Sequence, residues 1–269
     1  MLALSTACFY PAYTEQALKD ICELGIKNVE FFFNAKDECS KKYIDNINDI
    51  LRFYGASVLS THTYTGAFEH YYLFSDYDRR RHEIKDDFHR MMEATRNLGA
   101  SVLSFHGQRL SSSSGPEIPP TEIEAYADGI YPILELCEQY GVDLCQENVS
   151  WCKSYSPAFI SLAKKALNHP HFKFTLDIKQ ADRVNIDPKD YIDAAKDILA
   201  NVHLSDCDPV FSCLLPGRGN FDFTGLFSYL RDSGYKGNYV IEVYRSSFNE
   251  RGELIKSYED FWAAYGDLL

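Results

Sequence analysis

The chain is 269 residues long, 45% hydrophobic and 14% aromatic, enough for one sizeable core at a length that α/β barrels reach as a single domain. Its 39 acidic residues outnumber 27 Lys and Arg, and the net charge of −12 speaks against nucleic acid, whose affinity rests on cations that neutralise phosphates. No apolar run nears the ~18 residues of a membrane span, and the start lacks the basic n-region and long apolar stretch of a signal peptide.

In chain order, short apolar β-type runs alternate with helical patterns. "MLALSTACF" leads to a helix that Gly25 stops, and "NVEFFFN" to one closed by Gly55. "SVLSTHTY" runs into an aromatic loop, "TYTGAFEHYYLFSD" at 63 to 76, expected to be a lid, an interface piece or a plug, with Tyr64, Phe68 and Tyr72 shaping a pocket or packing on the next helix. That helix opens with "DRRRHEIKDD", whose charges balance as a solvated face, and it aligns Phe88, Met91, Met92, Thr95 and Leu98 before Gly99. "SVLSFHG" and the loop "SSSSG" precede a helix with Ile123, Ala127, Ile130, Leu134 and Cys137 on one face, stopped by Gly141. "VDLCQEN", "FKFTLDI", "NVHLSDC" and "YVIEVY" complete eight runs; Gly234 closes the helix before the last run, and a final helix carries Ile255, Tyr258 and Trp262.

Such alternation implies parallel strands with helical crossovers, and their number predicts a single (β/α)8 TIM barrel over residues 1–269. An open doubly wound sheet would bring a Gly-rich fingerprint after its first strand, and "ACFYPAYT" has none. The eight cysteines form no C-x-x-C pair, which excludes a zinc knuckle or thioredoxin-type motif. Scattered beside an ample core, they read as reduced thiols of a cytosolic protein. The aromatic content is compatible with a homo-oligomer.

Barrel chemistry sits where strands end. Those positions hold Glu30, His62, His106, Glu147, Asp177, His203 and Glu242. The last four fall on four successive strands and would converge on one side of the mouth. Three carboxylates brought together raise one another's pKa unless a cation joins them. The oxygen and nitrogen donor set without thiolate predicts one divalent metal on Glu147, Asp177, His203 and Glu242, with Mn²⁺ the leading choice and Mg²⁺, Co²⁺ or Zn²⁺ compatible. Trp151, four residues after Glu147, would stack on a ligand or cover the barrel. Arg218, between two glycines in "LPGRGNFDF", suits a substrate anion or a solvated turn.

The motifs "LGASVLSFHG", "YADGIYPILELCEQYGVDLCQEN", "LDIKQA", "VHLSDC", "LPGRGNFDF" and "VIEVY", in this order, resemble the xylose-isomerase-like TIM barrels, the sugar phosphate isomerase/epimerase family. The resemblance covers most of the chain. It implies that the Glu/Asp/His/Glu set binds one metal and that Glu147 and Glu242 move a proton at carbon through an enediolate. The metal would act as a Lewis acid and the glutamates as general acid and base. The substrate would be a small sugar, keto-polyol or sugar phosphate, with His62, His106 and Gln180 contacting its hydroxyls.

Two positions depart from the family pattern: Gln180 stands where a histidine is frequent, and Pro209 where the hexose epimerases carry arginine. In the apurinic-endonuclease branch, histidines placed like His62 and His106 hold a second zinc. That branch also needs the histidine replaced by Gln180 and an Asp-x-His that "DCDPVFSCLLPGRG" lacks. Two rival readings stay open: a metal-dependent lyase or dehydratase on a keto-sugar or keto-inositol, and a non-catalytic metal- or sugar-binding barrel.

Overall fold

The structure is a computed structural model that describes residues 1–64, 67–111 and 118–269, with backbone alone at 67 and 68. All eight β-type runs become strands: β1 (Leu2–Ser5), β2 (Asn28–Phe32), β3 (Ser57–His62), β4 (Val102–Phe105), β5 (Asp143–Glu147), β6 (Phe172–Asp177), β7 (Leu199–Leu204) and β8 (Asn238–Ile241). Each pairs in parallel with the next, and β8 returns to β1, so the barrel is closed. This is the single (β/α)8 barrel that the alternation predicts.

Helices α1 (Thr14–Glu23), α2 (Lys41–Tyr54), α3 (Ala67–Tyr72), α4 (Asp78–Asn97), α5 (Pro120–Tyr140), α6 (Pro157–Leu167), α7 (Ile178–Arg183), α8 (Pro188–Ala195), α9 (Phe223–Asp232) and α10 (Arg251–Tyr265) connect the strands and close the chain. The predicted faces of α4 and α5 are buried, Phe88, Met92 and Ile130 completely. Gly55 and Gly141 end their helices in left-handed backbone, at φ 61° and 63°, a conformation glycine adopts without strain. The reading of α10 is offset: Leu254, Ser257 and Phe261 are buried, whereas Trp262 is 50% exposed. Those buried positions keep the three-to-four spacing of a helical stripe, rotated by one residue from the aromatic one.

Among the described residues, two crossovers hold more than one α-helix. The aromatic loop after β3 folds into α3, and the segment after β6 turns straight into α7. Tyr64 donates its hydroxyl to Asp87 on α4 at 3.0 Å and packs partly buried against the core. The Phe68 side chain and residues 112–117 of the "SSSSG" loop lie outside the described residues. All eight cysteines are free thiols. Among the described residues no helix is long and apolar enough to cross a membrane.

Candidate metal centre

The C-terminal ends of β5 to β8 deliver four side chains to one place. Glu147 ends β5, Asp177 ends β6, and His203 lies beside Asp177 in the β6–β7 register. Glu242 follows β8, and its N–H donates to Leu204 C=O at 3.1 Å, which continues the ladder by one residue. One ligand atom from each of the four lies within 4.8 Å of the other three.

Neighbours fix each side chain. The Asn148 amide clamps the end of β6: its Nδ2 donates to Asp177 C=O at 2.9 Å, and Asp177 N–H donates to its Oδ1 at 2.6 Å. Asp177 then divides its carboxylate. Oδ1 caps α7 by accepting Gln180 N–H at 3.1 Å, and Oδ2 is left to face the cluster. The His203 Nε2 sits 3.2 Å from Glu30 Oε2, which also accepts from Ser60 Oγ at 2.7 Å and Asn201 Nδ2 at 3.2 Å. With Nε2–H directed at a buried carboxylate, the Nδ1 side turns inward, the orientation that carboxylate partners give to metal-binding histidines.

The residues fit a metal. Asp177 Oδ2 and His203 Nδ1 are buried without a hydrogen-bond partner, an expensive state for polar atoms unless a cation or proton engages them. The three carboxylates and one imidazole form a hard to borderline donor set. His62, His106 and Glu147 make a second group whose ligand atoms meet the same distance limit and which shares Glu147.

The carboxylates already have a cation beside them, and it is not a metal. Lys179, in the first turn of α7, places Nζ 2.9 Å from Asp177 Oδ2 and 3.0 Å from Glu242 Oε2. The Asp177 contact is ionic only, not aligned as a hydrogen bond, while Nζ donates to Glu242. The sequence reading turned to a metal alone to balance Asp177 and passed over this lysine two residues away. Its confinement shows only in the fold, where every residue of "LDIKQA" is buried.

These contacts pull the two glutamates apart. Burial alone would raise the Glu242 pKa, but the Lys179 and His203 charges outweigh it and hold the carboxyl well below its ordinary range. Burial does raise Glu147, and the Asp177 charge adds to it, against the opposing hydrogen bond from His62. His62 Nε2 lies 2.9 Å from Glu147 Oε2, and its Nδ1 lies 2.8 Å from Thr63 C=O. One proton must therefore sit between imidazole and carboxyl. Burial would lower His62, yet the Glu147 bond and the nearby carboxylates hold it above its usual value. Burial also opposes protonation of His203, and Glu30 and Glu242 reverse the sign, raising it well above the ordinary value. Ligation of a cation at Nδ1 requires that proton to leave.

Above the cluster opens a cleft of about 480 Å³, lined among others by His106, Glu147, Trp151, Lys179, Gln180 and Glu242. Trp151 is held edge-on against His70, with ring centroids 4.5 Å apart, and forms part of the wall. The Gln180 Oε1 accepts from Ser150 N–H at 3.1 Å, which fixes the amide at the rim. His106 is kept neutral by burial and by the charges of His62 and His70, which lower its pKa well below the ordinary value. Its backbone is set by Glu69 of α3, whose Oε1 accepts Gly107 N–H at 2.6 Å. A side chain at Gly107 would collide with the Gln146 amide, and φ is +82° there, so only glycine serves.

Two expected contacts are absent from the cleft. Both His62 nitrogens are engaged by Glu147 and Thr63, so His62 braces Glu147 and is not free for a substrate hydroxyl. Arg218 is 3.4 Å from Glu253 on α10 and half exposed, in a separate groove. The anion at its turn belongs to the chain itself: Asp206 accepts the N–H groups of Cys207, Gly217, Gly219 and Phe221 at 2.9 to 3.0 Å.

The family model described as xylose isomerase-like TIM barrel matches residues 18–263. An uncharacterised protein of Mycobacterium leprae is 24% identical over 94% of this chain and 91% of its own. L-ribulose-5-phosphate 3-epimerase UlaE of Shigella boydii is 27% identical, but the match spans only 49% of this chain and 47% of that one. Among solved structures, D-psicose 3-epimerase from Clostridium cellulolyticum superposes with a TM-score of 0.80 at 16% identity, covering 100% of this chain and 99% of the other. With a closed eightfold barrel, a Glu/Asp/His/Glu cluster at the ends of β5 to β8 and a family match over most of its length, this chain belongs to the xylose isomerase-like TIM barrel family.

Proposed function

We propose that the protein is a divalent-metal-dependent epimerase or isomerase of a small ketose, keto-polyol or sugar phosphate, working in the cytosol. One observation carries this reading: Glu147 and Glu242 line one cleft over a metal-competent cluster, and in the metal-free site their surroundings push their pKa values in opposite directions. Paired groups whose surroundings split their pKa values mark an acid and a base. The epimerases named among the relatives support the sugar class.

Glu147, Asp177, His203 and Glu242 would hold the metal. Bound there, a divalent cation supplies Lewis-acid stabilisation for negative charge that develops on substrate oxygen. Glu242, ionised, takes the proton from the carbon beside the carbonyl, and the C–H electron pair passes into an enediolate. Glu147, raised by burial and sharing one proton with His62, returns a proton to that carbon from the other face, which inverts it. Trp151 and Gln180 orient the sugar, and the indole excludes water from one wall.

The test is substrate hydrogen exchange. Metal-loaded protein is incubated with ketoses and their phosphates in deuterated water, and label at the carbon next to the carbonyl is followed by NMR. Exchange with an inverted product is expected, and Glu242→Gln should slow it by at least ~100-fold, the usual share of a general base. Loss of water to an enone would transfer the site to the lyases. Binding without exchange would leave a non-catalytic barrel.

A further inference from the structure

Lys179 has no part in the proton transfers above, yet it is among the most confined charges in the molecule. The residue is 3% exposed, and its ammonium rests on Asp177 Oδ2 and Glu242 Oε2 at 2.9 and 3.0 Å. Those two oxygens belong to the set that would hold the metal. On its outer side the ammonium lies 5.1 Å from the centroid of the Tyr244 ring, over which the Arg183 guanidinium also sits at 5.3 Å.

Building on the metal-site reading, we propose that Lys179 is a tethered counter-ion that competes with the divalent metal for Asp177 and Glu242. An ammonium and a dication drawn to the same two carboxylate oxygens repel each other at close range, and little water screens them there. In the metal-free protein the lysine removes the conflict among three converging carboxylates. Metal binding requires the ammonium to give up those oxygens, and a lysine stem with four rotatable bonds can do so while the Tyr244 face still offers cation–π contact. The lysine therefore sets the site to a weak, exchangeable affinity. A site of the same four ligands without it would hold its metal more tightly.

The test is Mn²⁺ affinity, measured by calorimetry and by the free-Mn²⁺ electron spin resonance signal on chelator-stripped full-length protein. Wild type, Lys179→Met, Lys179→Arg and Asp177→Ala are compared. Lys179→Met keeps the apolar stem and loses the charge; it should bind Mn²⁺ at least tenfold more tightly than wild type. Lys179→Arg keeps the charge and should bind no more tightly. If Lys179→Met does not fold, Lys179→Gln should show the same gain. Equal or weaker binding in the neutral variants, or an equal gain in Lys179→Arg, overturns the counter-ion role and leaves the metal site standing. No binding in any protein overturns both.

Discussion

Glu30 touches no part of the cleft, yet it governs the site through one hydrogen bond. It is fully buried in β2 and accepts from Ser60, Asn201 and His203, while its second oxygen has no partner. Burial alone would make so enclosed a carboxyl protonate; the His203 charge and hydrogen bond reverse that and keep its pKa below the ordinary value. Its consequence for His203 is directional, since an imidazole that gives Nε2–H to Glu30 presents Nδ1 to Asp177 and Glu242. Replacing Glu30 with Gln leaves the volume unchanged and weakens that hold. Mn²⁺ affinity should then fall roughly 10- to 100-fold, the usual effect of losing a ligand's orienting partner. Calorimetry beside a far-UV circular dichroism spectrum checks this. Unchanged affinity in a folded variant would remove Glu30 from the site.

At the scale of the element, the β6–α7 junction shows what a local reading can and cannot reach. The alternation Phe172, Phe174, Leu176 runs truly through β6, but Ile178, the next in the series, already belongs to α7. Strand and helix periods agree over so short a stretch, and the aspartate that looked like a strand's polar end is also a helix cap. The convergence of Glu147, Asp177, His203 and Glu242 was legible because each lies at the end of its own apolar run. Its supports were not, because they depend on pairings between distant positions: Lys179 with Glu242, His62 with Glu147, Glu30 with His203. Asn148 is of the same kind. It follows Glu147 in sequence and serves Asp177 on the next strand. Asn148→Ala would leave two buried backbone groups of Asp177 unpaired, so unfolding free energy should drop by about 2–3 kcal/mol. Urea denaturation of the metal-free protein measures it, and a loss under ~0.5 kcal/mol would mean that water or a rearranged strand end replaces the clamp.

For the molecule as a whole, barrel closure turns a local site into a global tie. The four candidate residues close consecutive strands, with Asp177 and His203 paired in register, so a bound cation would join the ends of β5 to β8. The unfolded chain scatters these residues from 147 to 242 and cannot assemble the set. A ligand that binds only the folded state stabilises it by mass action, by about 2.7 kcal/mol at 100 times its Kd. For a chain of this length that corresponds to a rise in Tm of roughly 5–10 °C. Mn²⁺ added to stripped protein should therefore raise Tm in a concentration-dependent way, and EDTA should return it to the starting value. Asp177→Ala should lose the shift, because it removes both a ligand oxygen and the cap of α7. A Tm in wild type that ignores Mn²⁺, Co²⁺ and Zn²⁺ alike would mean that the lysine, and not a metal, balances the carboxylates in the working protein.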